Sequence, residues 1–297
     1  MVMDRYGGPE VLRLADLPMP TPAAGQAIVA VKAAAINPAD CKWRSGRFAD
    51  SFPVSFPDVL GYDIAGVVVE APDIAPGTRV AAMLGLLTKG GYAEYVAVDA
   101  DQLAVIPDSL SFEAAAAVPA AGVTGMQMIE RCMHIEPGQL MLITGAVGAV
   151  GRFAMHTALA RGAQVVAAVR KTQIDEALAR GAAQVLVLGE DDWDGPLFDH
   201  VADTLGGPQV TALCRHVAAN GTIVTVSNEP IEPEGLPVPP RHFIMEPSGP
   251  DLARLLDAVA TGAIEAPIAR ILPLEEAGAG QRMSEAGGLG GKIILKV

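Results

Sequence analysis

The sequence predicts an α/β protein of two domains, an antiparallel β-barrel or sandwich followed by a doubly wound parallel sheet. Three observations carry this. The chain has 297 residues, more than one domain of roughly 100 to 200 residues holds. Its first hundred or so residues form short extended pieces between turn signals, and from Ser111 apolar strands alternate with helical stretches, as in βαβ units.

The extended pieces are Ala27–Ala33, Ile64–Glu70, Thr78–Met83 and Ala93–Val98, separated by turns at Thr21–Gly25, Pro76-Gly77 and Lys89-Gly90-Gly91. In the second half, Leu140–Thr144, Gln164–Val169, Gln184–Leu188, His200–Asp203 and Thr222–Val226 are predicted strands. Helices are predicted over Ala149–Arg161, Gln173–Arg180 and Pro208–Ala218, with Gly162, Gly181 and Gly221 just beyond them as left-handed caps. The proline-rich run Glu229–Pro240 is a loop. A helix at Pro250–Thr261, a strand at Pro267–Leu272, a helix at Leu274–Glu285 and a closing Lys292–Val297 complete a tail expected to fold back onto the first domain.

Composition narrows the partners. Asp plus Glu number 34 against 21 Lys plus Arg, a net charge of -13, so no broad positive field attracts nucleic acid or anionic membrane. Apolar residues make up 51% and the mean hydropathy is +0.34, but the excess is Ala and Val spread along the chain. The longest apolar stretch, Ala114–Ile129, is broken by Pro119 and Gln127 and falls short of the roughly 18 residues that span a bilayer. Cys41, Cys132 and Cys214 are far apart and form no C-x-x-C pair, which fits a reducing compartment. With no basic-then-apolar leader at the N-terminus, the expected location is the cytoplasm.

The strongest motif is the strand Leu140–Thr144 running into glycines at 145, 148 and 151 and then a helix. Such a turn brings backbone N–H groups against a pyrophosphate at a helix N-terminus. At the end of the second strand, where a carboxylate would accept from ribose hydroxyls, the chain has Arg170-Lys171-Thr172 and no acid before Asp175. Two cations suit a 2′-phosphate, so the expected cofactor is NADP(H).

These segments, with Asp4–Leu12, Ala35–Gly46, Leu60–Gly66, Gly90–Tyr95, Ala121–Thr124, Asp203–Gly207 and Gly291–Leu295, run in the order of a known family. The chain resembles the zinc-independent quinone oxidoreductases of the medium-chain dehydrogenase/reductase superfamily. The resemblance implies a GroES-like β-barrel catalytic domain over residues 1–115 and 263–297 and a Rossmann NADP-binding domain over 116–262. It also implies a homodimer formed through the Rossmann domain.

For the cofactor, the resemblance implies contacts from Asn37, Thr124, Gly145, Gly148, Ala149, Val150, Gly151, Arg170, Lys171, Leu205, Ser227 and Lys292. Leu188 stands where a tyrosine that stacks on adenosine is frequent in the family. Related alcohol dehydrogenases hold catalytic zinc with two thiolates and an imidazole; those places resemble Asp40, Tyr62 and Ala120, and no metal is expected. The five histidines sit singly, without ligand spacing.

Without a Lewis acid the acceptor must already be electron-poor, a quinone or an alkene conjugated to a carbonyl. By resemblance the loop 37–44 faces the nicotinamide, and the candidate catalytic residues are Lys42, Asp40 and Tyr62. Lys42 stands where many quinone reductases have tyrosine and where enal, enone and enoyl thioester reductases have lysine. It is either an ammonium that steadies an enolate oxygen or a solvated lysine. Asn37 and Asp40 would hold the loop, Tyr62 would donate its phenol, and Asp63 is either part of this chemistry or only structural. Two other functions are compatible with the sequence: an enoyl reductase acting on carrier-bound thioesters, and a non-catalytic NADPH-binding sensor or structural protein.

Overall fold

The computed structural model describes residues 1–85 and 88–297. Contacts divide the chain into two compact units, Met1–Ala120 together with Pro247–Val297, and Ala121–Glu246. The sequence boundaries stand at 115/116 and 262/263. The difference lies chiefly in the helix Gly249–Ala260, which packs on the strand Leu103–Val105. Gly249 permits this, because a Cβ there would lie 2.5 Å from the carbonyl oxygens of Asp101 and Leu103.

The first unit is built on one long strand, Gln26–Ile36. Its first half pairs antiparallel with Tyr95–Asp99, its second half with Lys292–Lys296, and its other edge with Asp63–Glu70. Register shifts at Ile28/Val29 and Val31/Ala33 let one strand serve these neighbours. Arg79–Met83 and Leu103–Val105 extend the sheet on one side, and Ile268–Pro273 lies parallel to Lys292–Lys296 on the other. The tail therefore closes onto the first unit, as expected. Alternate residues Ala27, Val29 and Val31 enter a core with Trp43, Leu60, Ile64 and Tyr92.

The second unit holds six parallel strands. Across the sheet they run Gln184–Val187, Gln164–Val169, Leu140–Thr144, Phe198–Asp203, Val217–Thr225 and Arg241–His242. By order of appearance this is 3-2-1-4-5-6, the doubly wound arrangement whose switch point lies between the first and fourth strands. Continuous apolar runs such as Val165–Val169 are buried on both faces.

Two expectations are corrected. The predicted helix Pro208–Ala218 spans only Gly207–Cys214, because Val217 already pairs with Phe198. Gly221 is accordingly no helix cap. It lies inside a strand, where a Cβ would meet Asp199 O at 2.6 Å. Gly162 and Gly181 do take positive φ, at 83° and 98°. The apolar stretch 114–129 folds into parts of Phe112–Ala116 and Pro119–Cys132. Among the described residues no helix is long and apolar enough to cross a membrane.

Candidate functional site

In the first unit, Pro38 opens a short helix, Pro38–Arg44, capped by Asn37. Proline suits this position because its missing N–H has no partner to lose there. Asp40, three residues after the cap, accepts the Asn37 N–H at 2.8 Å and so closes the first turn. Asp40 is fully buried and also accepts from Gly61 N at 3.1 Å and Tyr92 Oη at 3.0 Å. Burial pushes its pKa up to about 7, helped by the charge of Asp63 and opposed by the Asn37 N–H, the Tyr92 phenol and Lys292.

The Asn37 side chain joins a second cluster. Its Nδ2 donates to Asp63 Oδ2 at 2.9 Å, and its Oδ1 accepts from Lys292 Nζ. That ammonium also lies 3.4 Å from Asp63 Oδ2, while Asp63 Oδ1 accepts from Ala120 N at 2.8 Å. Burial raises the Asp63 pKa, and Lys292 is the chief opposing influence. Asp63 is held here by three partners. Lys292, expected by resemblance to reach the cofactor, is buried, with its ammonium committed to Asn37 and Asp63.

Tyr62 is 4% exposed, and its hydroxyl has no hydrogen-bond partner among the described residues. Burial, then the charges of Asp40 and Asp58, raise its pKa and keep it a neutral O–H donor. Lys42 lies half-buried on the helix that carries Asp40. Lys89, outside the expected set, pairs with Asp58 at 3.0 Å and lies 4.6 Å over the Trp43 ring.

The expected places for zinc ligands thus hold a carboxylate already accepting three hydrogen bonds, a neutral phenol and an alanine. This set does not fit zinc. Among the described residues no group of three or more His, Cys, Asp or Glu is placed to hold a metal.

In the second unit, the glycine turn ends the strand Leu140–Thr144. Gly145 has a φ of 61°, and a Cβ on Gly151 would fall 2.1 Å from Gly145 O. Gly148 N–H closes on Gly145 O at 2.7 Å. The N–H groups of Ala149, Val150 and Gly151 have no acceptor within the chain among the described residues, as at the open start of a helix.

Across the switch point, buried Asp203 accepts from Thr144 Oγ1 and from Thr225 Oγ1 at 2.6 Å. It also accepts the N–H groups of Leu205 and Gly206 at 3.0 Å and 2.9 Å. These bonds fix the crest that presents Leu205, whose carbonyl accepts from Ser227 Oγ at 2.8 Å. Arg170 and Lys171 are exposed just past Gln164–Val169. Arg170 Nε donates to Gln173 at 3.4 Å, and Lys171 lies 3.4 Å from Glu190. Thr124 is buried on Pro119–Cys132.

The structure therefore gathers Asn37, Asp40 and Lys292 with Asp63 in one unit, and the glycine turn with Leu205 and Ser227 around the switch point of the other. Tyr92, Asp203 and Arg152 are additions. Only Arg152 carries a local signal, a lone arginine in an otherwise apolar, uncharged helix start.

An antiparallel sheet built on one long strand and carrying a capped, acid-closed helix, together with a 3-2-1-4-5-6 sheet bearing a glycine turn, defines a medium-chain dehydrogenase/reductase. Residues 23–108 match the family model for the alcohol dehydrogenase GroES-like domain, and residues 180–295 the one for zinc-binding dehydrogenases. A quinone oxidoreductase of Salmonella typhimurium is 33% identical over 211 residues, 69% of this chain and 62% of that protein, so the chain spans less than two thirds of that relative. The NADPH-dependent alkenal/one oxidoreductase of Arabidopsis thaliana is 30% identical over 89% of this chain and 70% of its own. The solved quinone oxidoreductase of Coxiella burnetii superposes with a TM-score of 0.88 at 28% identity, covering 100% of this chain and 98% of that one. The chain belongs to the quinone oxidoreductase family of the medium-chain dehydrogenase/reductase superfamily.

Proposed function

We propose that the protein is an NADPH-dependent reductase that adds hydride, without metal, to a quinone or to the C=C bond of an α,β-unsaturated ketone or aldehyde. The observation that carries this reading is the pairing of a phosphate-receiving turn with a donor set unfit for zinc. Bound NADPH supplies the hydride.

The chain's own residues do the rest. The free N–H groups of Ala149–Gly151 meet the pyrophosphate, and Arg170 and Lys171 meet the 2′-phosphate. The pair of Lys171 with Glu190 has side chains 74% and 58% exposed, so its exchange for a phosphate costs little. Reduction leaves negative charge on the acceptor's oxygen, and the donors for it are the neutral Tyr62 hydroxyl and the Lys42 ammonium. Asp40, walled in by three donors, holds the helix and does not touch the acceptor.

The same reading makes the protein a homodimer through its nucleotide-binding unit. Its three free cysteines suit work in the cytoplasm.

The test is NADPH oxidation against a panel of quinones, enals and enones, with and without chelator, and cofactor titrations beside it. Oxidation insensitive to chelation is expected. NADPH binding with no oxidation of any acceptor would favour the sensor. The double change Arg170→Ala and Lys171→Ala is expected to weaken NADPH binding by about tenfold or more, from lost charge-assisted bonds, and to leave NADH unchanged. Equal affinity of the unaltered protein for NADH and NADPH would sink the cofactor assignment.

A further inference from the structure

Helix Gly151–Ala160 begins with a buried charge. Arg152, its second residue, is 5% exposed, and its guanidinium turns back under the glycine turn. Nη2 donates to the Val147 carbonyl at 2.6 Å, and Nε to the Gly148 carbonyl at 3.3 Å. Nη2 also lies 3.4 Å from Glu176 Oε1, an oxygen that accepts from Arg180 Nε at 3.1 Å as well.

The geometry of the peptide explains what this does. In a trans peptide the carbonyl and the N–H point opposite ways. The Gly148 carbonyl, which also accepts the Arg152 backbone N–H at 3.1 Å, is drawn toward Arg152, and this turns the Ala149 N–H, one of the turn's groups without an acceptor among the described residues, to the other side. Drawing the Val147 carbonyl the same way turns the Gly148 N–H toward Gly145 O, which it meets at 2.7 Å. One planar fork with donors in fixed directions suits this task better than an ammonium on a flexible stem.

Glu176 extends the connection. It belongs to Ile174–Ala179, the helix just after Arg170 and Lys171. A single carboxylate thus ties the guanidinium beneath the pyrophosphate turn to the helix that follows the basic corner.

We propose that Arg152 is the positioning residue of the dinucleotide cradle: it orients the turn's N–H groups and, through Glu176, fixes the turn relative to the Arg170–Lys171 corner. The proposal rests on the NADPH reading above and adds to it the means by which two phosphate subsites keep their spacing.

The experiment measures NADPH and NADH dissociation constants by cofactor fluorescence, together with thermal midpoints, for the full chain and three variants. Arg152→Met keeps the aliphatic stem and removes every donor, and it is expected to raise the NADPH dissociation constant at least tenfold. Arg152→Lys keeps charge without the fork and is expected to fall between. Glu176→Gln, at a side chain 39% exposed, leaves the turn's own bonds intact; it is expected to raise the constant for NADPH several-fold more than that for NADH. Should Arg152→Met fail to fold, Arg152→Lys and Glu176→Gln decide the matter. Lowered thermal midpoints with unchanged dissociation constants would overturn the proposal and leave Arg152 purely structural. If the unaltered protein binds neither NADPH nor NADH, the cofactor reading itself falls and takes the proposal with it.

Discussion

Lys292→Met is expected to destabilise the protein by roughly 3 kcal/mol near neutral pH, the low end of the 3–5 kcal/mol that follows removal of one partner from a buried ion pair. The low end applies because Asp63 keeps the Ala120 N–H and the Asn37 amide, at 2.8 Å and 2.9 Å. Asn37 Oδ1 loses its donor, and the methionine stem fills most of the space.

The pH dependence separates this loss from a packing defect. Burial raises the Asp63 pKa in the folded protein, and Lys292 is the chief influence holding it down. Without Lys292 it rises further. A carboxyl with a raised folded pKa favours folding most when protonated in both states, below the unfolded value near 4. That contribution is lost as pH rises through the folded value. The deficit of Lys292→Met should therefore be largest at about pH 8 and shrink toward about pH 5 in urea denaturation. An equal deficit at both would show that the ammonium's charge is not what holds Asp63.

This cluster also shows where sequence reasoning stops. The strands Leu140–Thr144 and Gln164–Val169 were legible to the residue, because short apolar runs between glycines carry their own local signal. The switch-point turn was legible for the same reason. Gly221 was misread because a glycine after a helical pattern looks the same whether it caps the helix or clears space for Asp199. Asp63 and Lys292 are 229 residues apart, and Tyr92 reaches Asp40 across 52. No period or spacing links such pairs. Only the sheet, which lays Lys292–Lys296 beside Gln26–Ile36 and that strand beside Asp63–Glu70, brings them together. Arg152, which the sequence reading passed over, is a charge out of pattern, but its direction, back toward the turn, is a property of the folded helix start.

The second large effect falls on turnover. Lys42→Ala is expected to lower kcat about a hundredfold, the scale for removing one donor to a developing oxygen anion, with NADPH affinity unchanged. The fold should tolerate the change. Lys42 contributes its carbonyl to the end of its helix, accepting from Ser45 Oγ and Arg47 N at 3.0 Å each, and alanine keeps that carbonyl while favouring the helix. The helix start is held by Asn37, Pro38 and Asp40. Thermal midpoints measured beside the rates separate loss of the donor from loss of the fold.

Tyr62→Phe makes the comparison sharper. It removes the other candidate donor, whose hydroxyl has no partner to lose among the described residues, so it should cost rate without costing stability. If both donors serve the same oxygen, the double variant should lose less than the product of the two single losses, since groups acting on one charge are not additive. A Lys42→Ala rate equal to that of the unaltered protein would remove the ammonium from the mechanism and leave Tyr62 as the donor that the acceptor's oxygen meets.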